Sequence, residues 1–207
     1  MLQNKAFIIM YGVEKQVKDR VLGRKRGAVL FPDDFEICGS SEAVRLALHR
    51  LEKEGFIRRL AHGIYYRPII DDLIGELRPS VEEVAQSIAK RDKIRLMPTG
   101  AYALNALGLS TQVPMKLVFL TDGAPRIIQV GKVTIKLKKT TPKVLSAKGK
   151  ISSLVIQALK EIGKDKIYDE EEVKILGLLK KEDPKHLIHD ISLAPVWIQK
   201  IMKKALN

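Results

Sequence analysis

The stretch "SSEAVRLALHRLEKEGFIRRLAHGIYYRP" at residues 40–68 decides the fold of the first part of the chain. It opens with Ser40 and Ser41, either of which is suited to cap a helix. Apolar residues then recur at the spacing of one buried helical stripe, namely Val44, Ala47, Leu48 and Leu51. Gly55 fits the left-handed position beyond the helix end, with Phe56 placed to pack back. The pattern predicts a helix that buries a single face.

Two short strands are predicted directly after this helix. The segments "FIRRL" (56–60) and "IYYRP" (64–68) are rich in β-branched and aromatic residues. Residues 61–63, "AHG", supply the turn between them, and Pro68 ends the second strand. The stretch therefore predicts a helix followed at once by a basic hairpin.

The residues before this stretch predict two further helical segments. A first helix is expected at 4–21, since Val13, Val17 and Val21 recur at four-residue spacing with Phe7, Met10 and Tyr11 upstream. A basic loop "GRKRG" (23–27) and a short strand at 28–31 follow, and Pro32 starts a helical turn. Three helical segments followed by a hairpin is the order of a winged helix-turn-helix, which we predict for residues 1–70.

The remaining residues predict mixed and then helical structure, so the expected fold class is α+β. Residues 71–79 read as a connector, and a capping-box spacing of Ser80 and Glu83 opens a helix. A helix beginning at Thr99 and ending at Gly108, three strands and three C-terminal helices complete the pattern: 115–121, 126–130, 133–138, 151–163, 169–181 and 184–205. A glycine turn at Gly131 predicts a hairpin. We expect a mixed domain at 75–140 and C-terminal helices at 150–207.

Composition limits the class of protein. Of the 207 residues 45% are hydrophobic and 29% charged, which is ordinary for a globular chain. No apolar run approaches the roughly 20 residues that span a bilayer, and the N-terminal apolar run is too short for a secretory signal. The single cysteine, Cys38, excludes an internal disulfide and fits a reducing compartment. A cytoplasmic location is expected.

The net charge of +13 favours a polyanionic partner, most simply nucleic acid. The charge is spread along the whole chain, so it does not itself point to one binding domain. A basic surface that serves only solubility is the alternative.

The helix at 40–54 and its hairpin carry the residues expected to contact double-stranded DNA. A recognition helix enters the major groove by its N-terminal half, so the candidates for base edges are Ser40, Ser41, Arg45, Leu46 and His49. Arg45 is suited to read guanine through two parallel hydrogen bonds. The cations expected on phosphates are Arg50, Lys53, Arg24, Lys25 and Arg26, and the residues expected at the hairpin are Arg58, Arg59 and His62. A solvated surface helix is the alternative.

A second basic patch lies in "GKVTIKLKKTTPKVLSAKGK" (131–150), which has seven lysines and no acid. Its candidate contact residues are Lys132, Lys136, Lys138, Lys139 and Lys143. Two functions are open, a second DNA contact or a docking surface for an acidic partner. Lysines that protect an exposed strand edge from pairing are the structural alternative.

Two stretches resemble a known family. Residues 26–68, "RGAVLFPDDFEICGSSEAVRLALHRLEKEGFIRRLAHGIYYRP", resemble the N-terminal winged helix of AbiEi-type antitoxins from type IV toxin–antitoxin systems, and residues 98–123 are similar to the start of their second domain. The resemblance implies a repressor that binds inverted repeats in its own promoter, as two copies that could meet on DNA. It also implies a co-expressed nucleotidyltransferase-like toxin as partner. The implied DNA contacts are Arg45, Arg50 and the hairpin Arg58–Gly63.

Other functions find less support in the sequence, and we expect neither an enzyme nor a cofactor. A metal-dependent nuclease needs converging carboxylates, whereas the strands at 115–138 offer only Asp122. His186 and His189 lack the spacing of a metal motif, and the chain has no phosphate-binding glycine loop. A metabolite-sensing repressor with a ligand pocket at 80–140 stays open as the alternative.

Overall fold

The computed structural model describes the backbone of Leu2–Leu206 and the side chains of residues 12–206. The predicted α+β class is confirmed, with helices and three small sheets along the chain. The chain forms two compact units, Met1–Ser87 and Ile88–Asn207. The finer, three-part division expected from the sequence stays a prediction. Among the described residues no helix has the length and apolar character needed to cross a membrane.

The first unit begins with a long helix and ends with two hairpins. Its elements are α1 (Leu2–Leu22), β1 (Val29–Leu30), a 3₁₀ helix (Pro32–Cys38), α2 (Ser41–Lys53), β2 (Arg58–Ala61), β3 (Ile64–Tyr66), β4 (Ile69–Asp71) and β5 (Gly75–Leu77). Strand β3 lies between β1 and β2 in an antiparallel sheet. The expected first helix, 3₁₀ turn, amphipathic helix and hairpin are therefore present, with the first strand shorter than expected. Phe7, Met10 and Tyr11 lie outside the residues whose side chains are described.

One apolar cluster holds the helices and the small sheet of this unit together. The predicted stripe of α2 is buried, as are the valines of α1, and they pack with Leu30, Phe35, Cys38, Ile57 and Tyr65. Gly55 has φ +77° and ends α2 as expected, with Phe56 packed against the cluster. Because the apolar stripes of α1 and α2 pack in this cluster, the opposite face of α2 is exposed to solvent.

Residues 71–79 form no simple connector, and that expectation was wrong. Strands β4 and β5 pair antiparallel, with Ile69 opposite Leu77 and Asp71 opposite Gly75. The Asp71 carboxylate accepts hydrogen bonds from the backbone N–H groups of Leu73 and Ile74 at 2.9 and 3.1 Å. This Asx-type turn supplies the reversal that the connector assignment overlooked.

Helix α3 (Val81–Asp92) runs from the first unit into the second. Its capping box forms as expected, because the Ser80 hydroxyl accepts from Glu83 N while the Glu83 carboxylate accepts from Ser80 N. Val84, Ala85 and Ile88 are buried and form one apolar stripe on this helix, whereas Val81 is partly exposed.

The second unit contains a four-stranded sheet in the order β6-β7-β9-β8. The strands are β6 (Leu96–Thr99), β7 (Lys116–Thr121), β8 (Arg126–Val130) and β9 (Val133–Lys139), with α4 (Ala101–Ala106) between the first two. The predicted hairpin is the β8–β9 pair, whereas β7 runs parallel to β9. Strand β6 was not predicted, and Thr99 ends that strand instead of starting a helix, since Gly100 is the N-cap of α4.

Helices α5 (Lys150–Ile162), α6 (Asp169–Leu179), α7 (Pro184–Ile191) and α8 (Val196–Lys203) follow the sheet. They share one core with α4, formed by residues such as Ala103, Leu159, Ile175 and Ile198. The prediction of a single helix at 184–205 was wrong, because residues 192–195 interrupt it. Pro195 lacks a backbone N–H and restricts the residue before it, so the chain starts α8 anew.

Candidate nucleic-acid interface

Helix α2 presents the proposed reading residues on the face opposite its buried stripe. Ser41, Arg45, Leu46, His49 and Lys53 are all exposed, as is the preceding Ser40. Among the residues whose side chains are described, neither Arg45 nor Lys53 has a hydrogen-bond or ion-pair partner for its side chain. Both cations are therefore available to a ligand. Ser40 is partly committed, because its hydroxyl accepts from Ala43 N at 3.3 Å and caps α2.

Arg50 has a structural partner that the sequence did not indicate. Its guanidinium donates to the Glu14 carboxylate at 3.0 Å and thereby ties α2 to α1. His49 lies 3.8 Å from the carboxylate of Glu52. Arg45 and Lys53 therefore keep free charges on α2, while Arg50 helps to position the helix.

The β2–β3 hairpin places Arg59 and His62 at its exposed end. Arg59 Nε donates to the Ala61 carbonyl at 3.3 Å, and a terminal nitrogen lies 3.1 Å from His62 Nδ1. The Arg59 guanidinium also lies over the Tyr65 ring, 6.0 Å from its centroid. Gly63, with φ +67°, closes the turn. The hairpin thus holds a cation and an imidazole together at its tip.

Arg58 points to a different neighbour, the β4–β5 hairpin. Its Nε donates to the Glu76 carboxylate at 2.9 Å and a terminal nitrogen to the Gly55 carbonyl at 2.6 Å. The hydroxyl of Tyr66 donates to the other oxygen of Glu76. This hydrogen bond, with the Arg58 charge, lowers the pKa of Glu76 despite partial burial, while burial and the same bond raise the pKa of Tyr66 to about 12. Glu76 is therefore ionised and fastens one hairpin to the other.

This network forms the floor of an open cleft of about 620 Å³. The cleft is lined by the end of α2, strand β2, Tyr66 and β5. Its charged lining residues are the four cations Lys53, Arg58, Arg59 and Arg78 and the two acids Glu52 and Glu76. Sequence reasoning missed Arg78, because it assigned 71–79 to a connector. The turn-forming residues Asp71, Asp72 and Gly75 between Ile69-Ile70 and Leu77 were the signal for a hairpin that would carry it.

The basic loop at 23–27 is held by a residue outside the predicted set. Arg67 donates to the carbonyls of Leu22 and Arg24 at 2.9 and 2.8 Å, and the backbone N–H of Gly27 donates to the Arg67 carbonyl at 2.7 Å. Arg24 itself pairs with Asp34 at 3.5 Å. Lys25 and Arg26 are exposed, with no ion pair to the side chains of residues 12–206. The loop therefore offers two of its three predicted cations.

The second set of lysines does not form one patch. Lys136 and Lys138 share a face of β9, whereas alternation puts Lys139 on the other face. Lys132 lies in the β8–β9 turn and Lys143 follows the sheet. Strand β9 has partners on both sides, so its lysines do not protect a free edge, and that alternative was wrong.

Asp122, His189 and Cys38, which were candidates for other chemistry, are held in structural contacts, whereas the His186 side chain is exposed. Both oxygens of Asp122 accept from Arg95, from N and from Nε, each at 2.8 Å. His189 Nδ1 lies 2.8 Å from buried Asp190, and Cys38 is buried as expected. Within residues 12–206 the structure gathers no group of three His, Cys, Asp or Glu side chains around a potential metal position.

The cavity that reaches Met97 bears on the ligand-sensing alternative. It lies beside α5 and has a volume of about 20 Å³. Such a space holds one water molecule and no metabolite. This cavity therefore gives no support to a sensor site.

Comparison with known proteins places the chain in a family of unknown function. The family model of DUF6088, described as a family of unknown function, matches residues 16–187. No curated protein matches the chain.

Proposed function

Since the chain belongs to the DUF6088 family, whose function is unknown, we propose from its own residues that it is a DNA-binding transcriptional regulator. Residues 1–70 act as a winged helix in this proposal. Helix α2 enters the major groove by its N-terminal half, and the β2–β3 hairpin contacts the adjoining backbone.

One observation carries the proposal. Arg45 lies exposed on α2, opposite the buried stripe, and neither a hydrogen bond nor an ion pair ties it to the described side chains. A guanidinium left free on the outer face of a well-anchored helix is suited to guanine O6 and N7. The Arg50–Glu14 pair supports the same role by fixing α2 on α1.

The cations around the helix supply the contacts that do not read sequence. Lys53, Arg59 and Arg78 line the cleft beside α2 together with Glu52, while the ionised Glu76 is paired with Arg58 and accepts a hydrogen bond from the Tyr66 hydroxyl. Phosphate oxygens are the ligands such a cleft fits, and contacts to them set register and orientation. We assign Arg78 to this group together with the residues expected from the sequence.

Binding to a fragment upstream of the protein's own gene tests the proposal. Arg45→Ala should weaken binding to that fragment by about 1–3 kcal/mol and weaken binding to random DNA less. The reason is that base contacts discriminate between DNA sequences, whereas phosphate contacts do not. Arg20→Ala, which removes the same charge from an exposed position on α1, serves as the matched control. Equal losses on both DNAs would contradict the assignment of Arg45, and a wild-type protein without sequence preference would overturn the function.

The second half of the proposal is that the regulator is the antitoxin of a type IV pair in the cytoplasm. The resemblance of residues 26–68 and 98–123 to AbiEi-type antitoxins is its support. Co-expression with the adjacent gene tests it. The full chain should restore growth that the neighbouring product inhibits, and a version lacking residues 75–207 should not. A neighbour without toxicity would remove this half while leaving DNA binding intact.

A further inference from the structure

The tip of the β4–β5 hairpin exposes apolar side chains to solvent. Leu73 is 95% exposed, Ile74 73% and Ile70 57%, and Leu73 is the most exposed large apolar residue of the described chain. Single exposed apolar residues are common on protein surfaces. Three within five positions of one turn form a patch, and such patches mark interaction sites.

Local hydrogen bonds define the conformation of the tip. Asp71 accepts from the N–H groups of Leu73 and Ile74, and Gly75 has φ +78°. At the base, Glu76 is held by Arg58 and Tyr66. A preorganised contact loses little conformational entropy on binding, which favours association.

The charge of the tip differs from that of the chain. Asp71 and Asp72 flank the apolar residues, whereas the protein as a whole carries +13. DNA phosphates would repel this pair of carboxylates. The tip is therefore complementary to an apolar cavity bordered by cations.

The same unit contains a cavity of this kind, which we call the seat. A cavity of about 450 Å³ has an apolar lining formed by Ala28, Val29, Ile69, Leu77 and Pro79. Lys25, Arg26 and Arg78 also line it. The acidic Glu83 lines it too, but its carboxylate is engaged by Ser80 N at 2.7 Å.

The tip cannot enter this cavity in its own molecule. Ile69 and Leu77, which line the cavity, are the base of the hairpin, and the ladder from this pair to Asp71 and Gly75 holds the tip extended away from them. Only another molecule can bring a tip to the seat.

We propose that two copies of this chain associate through their β4–β5 hairpins, with Leu73 and Ile74 of each copy seated in the cavity of the other. Tip and seat both lie in the first unit and share the β4–β5 hairpin, so a two-fold axis makes the contact twice. Asp71 and Asp72 of each copy then face Lys25 and Arg26 of the other. The inference concerns self-association and does not rest on DNA binding.

Sedimentation of the full chain without DNA, from about 1 to about 100 µM, tests the inference. The mass should rise with concentration from the 23.3 kDa of one chain toward twice that value. Leu73→Ser with Ile74→Ser should weaken association at least ~10-fold, because aliphatic side chains no longer fill either seat. Ile37→Ser, at a 75% exposed position on the 3₁₀ helix, is the matched control and should associate as the wild type does.

Charge exchange identifies the seat. Asp72→Lys and Lys25→Glu should each weaken association, and the two together should recover it, because the opposed charges are then interchanged. A wild-type chain that stays monomeric at about 100 µM would overturn the inference. Tip variants that associate normally, or a double variant without recovery, would do the same. The inference would also be overturned if the tip bound the product of the adjacent gene and not a second copy of this chain.

Discussion

Asp190 shows how one buried side chain organises the second unit. Its carboxylate is fully buried and accepts hydrogen bonds from Lys148 N at 2.9 Å, Gly149 N at 2.8 Å and the Ser152 hydroxyl at 2.5 Å. Burial raises the pKa of Asp190, but these bonds and His189 outweigh it, so the pKa lies below its ordinary value of 3.8. The ionised carboxylate thus satisfies donors at the start of α5, where the helix dipole also favours it.

Replacing this carboxylate should cost stability in a pH-dependent way. Asp190→Asn removes the charge and turns an amide toward buried donors, which should lower the free energy of unfolding by about 2–4 kcal/mol at neutral pH. Because the folded pKa is depressed, the wild-type advantage is complete above 3.8 and declines as pH falls through the lower folded value. Urea unfolding over a pH series measures this. Glu170→Gln, at an exposed position, should show little change, and an effect of Asp190→Asn that grows toward acid would contradict the argument.

Gly149 is required by the same site. A Cβ at this residue would overlap the Ser152 hydroxyl and the Glu182 carboxylate, which accepts from Ile151 N and Ser152 N. Gly149→Ala should therefore destabilise by about 1–3 kcal/mol, since the displaced groups cap α5.

Gly177 provides the opposite control. It lies inside α6, and no atom lies within 4 Å of the position that an alanine Cβ would take. Gly177→Ala should therefore stabilise by about 0.5–1 kcal/mol. Thermal unfolding of the two variants separates the cases. Similar shifts for both would show that the crowding at Gly149 has no energetic effect.

At the scale of elements, the start of α2 combines a structural and a proposed functional role. Ser40 caps the helix through Ala43 N, whereas Ser41 is the first helical residue and is exposed. Ser40→Ala should lower the free energy of unfolding by about 0.5–2 kcal/mol, and Ser41→Ala should leave it nearly unchanged. Chemical denaturation checks the pair. If both variants were equally stable, the 3.3 Å hydrogen bond would contribute nothing as a cap.

Elements with a strong local signal were predicted, including the β2–β3 and β8–β9 hairpins, whereas strand β6 was not. The stripe of α2, its Gly55 end and the Ser80–Glu83 box follow from spacing along one segment. Strand β6 gains its order from pairing with β7, which lies beyond α4 in the chain. A short segment whose hydrogen bonds all go to a distant partner carries no periodicity that separates it from a loop.

At the scale of the whole molecule, the charge of +13 predicts DNA binding that depends strongly on salt. Removing one cation that neutralises a phosphate should reduce the slope of log K against log salt by about 1. Lys53→Ala should therefore weaken binding to specific and to random DNA to a similar extent. It should also lower the slope of log K against log salt by about 1. Arg20→Ala should leave the slope unchanged. A Lys53 variant that lost only sequence preference would place this lysine on a base instead.

The sequence by itself determined the local features of this protein: the α+β class, the amphipathic α2, its caps, the basic hairpin and the net charge. These depend on contacts between residues close along the chain, where spacing and residue type suffice. The tertiary structure decided which of the predicted cations are free. Arg50 is paired with Glu14, and Arg58 with Glu76, across 36 and 18 residues of sequence. It also built the β4–β5 hairpin that brings Arg78 to the cleft and Leu73 to the surface. The two ion pairs depend on which distant segments the folded core brings together, and no single segment encodes them.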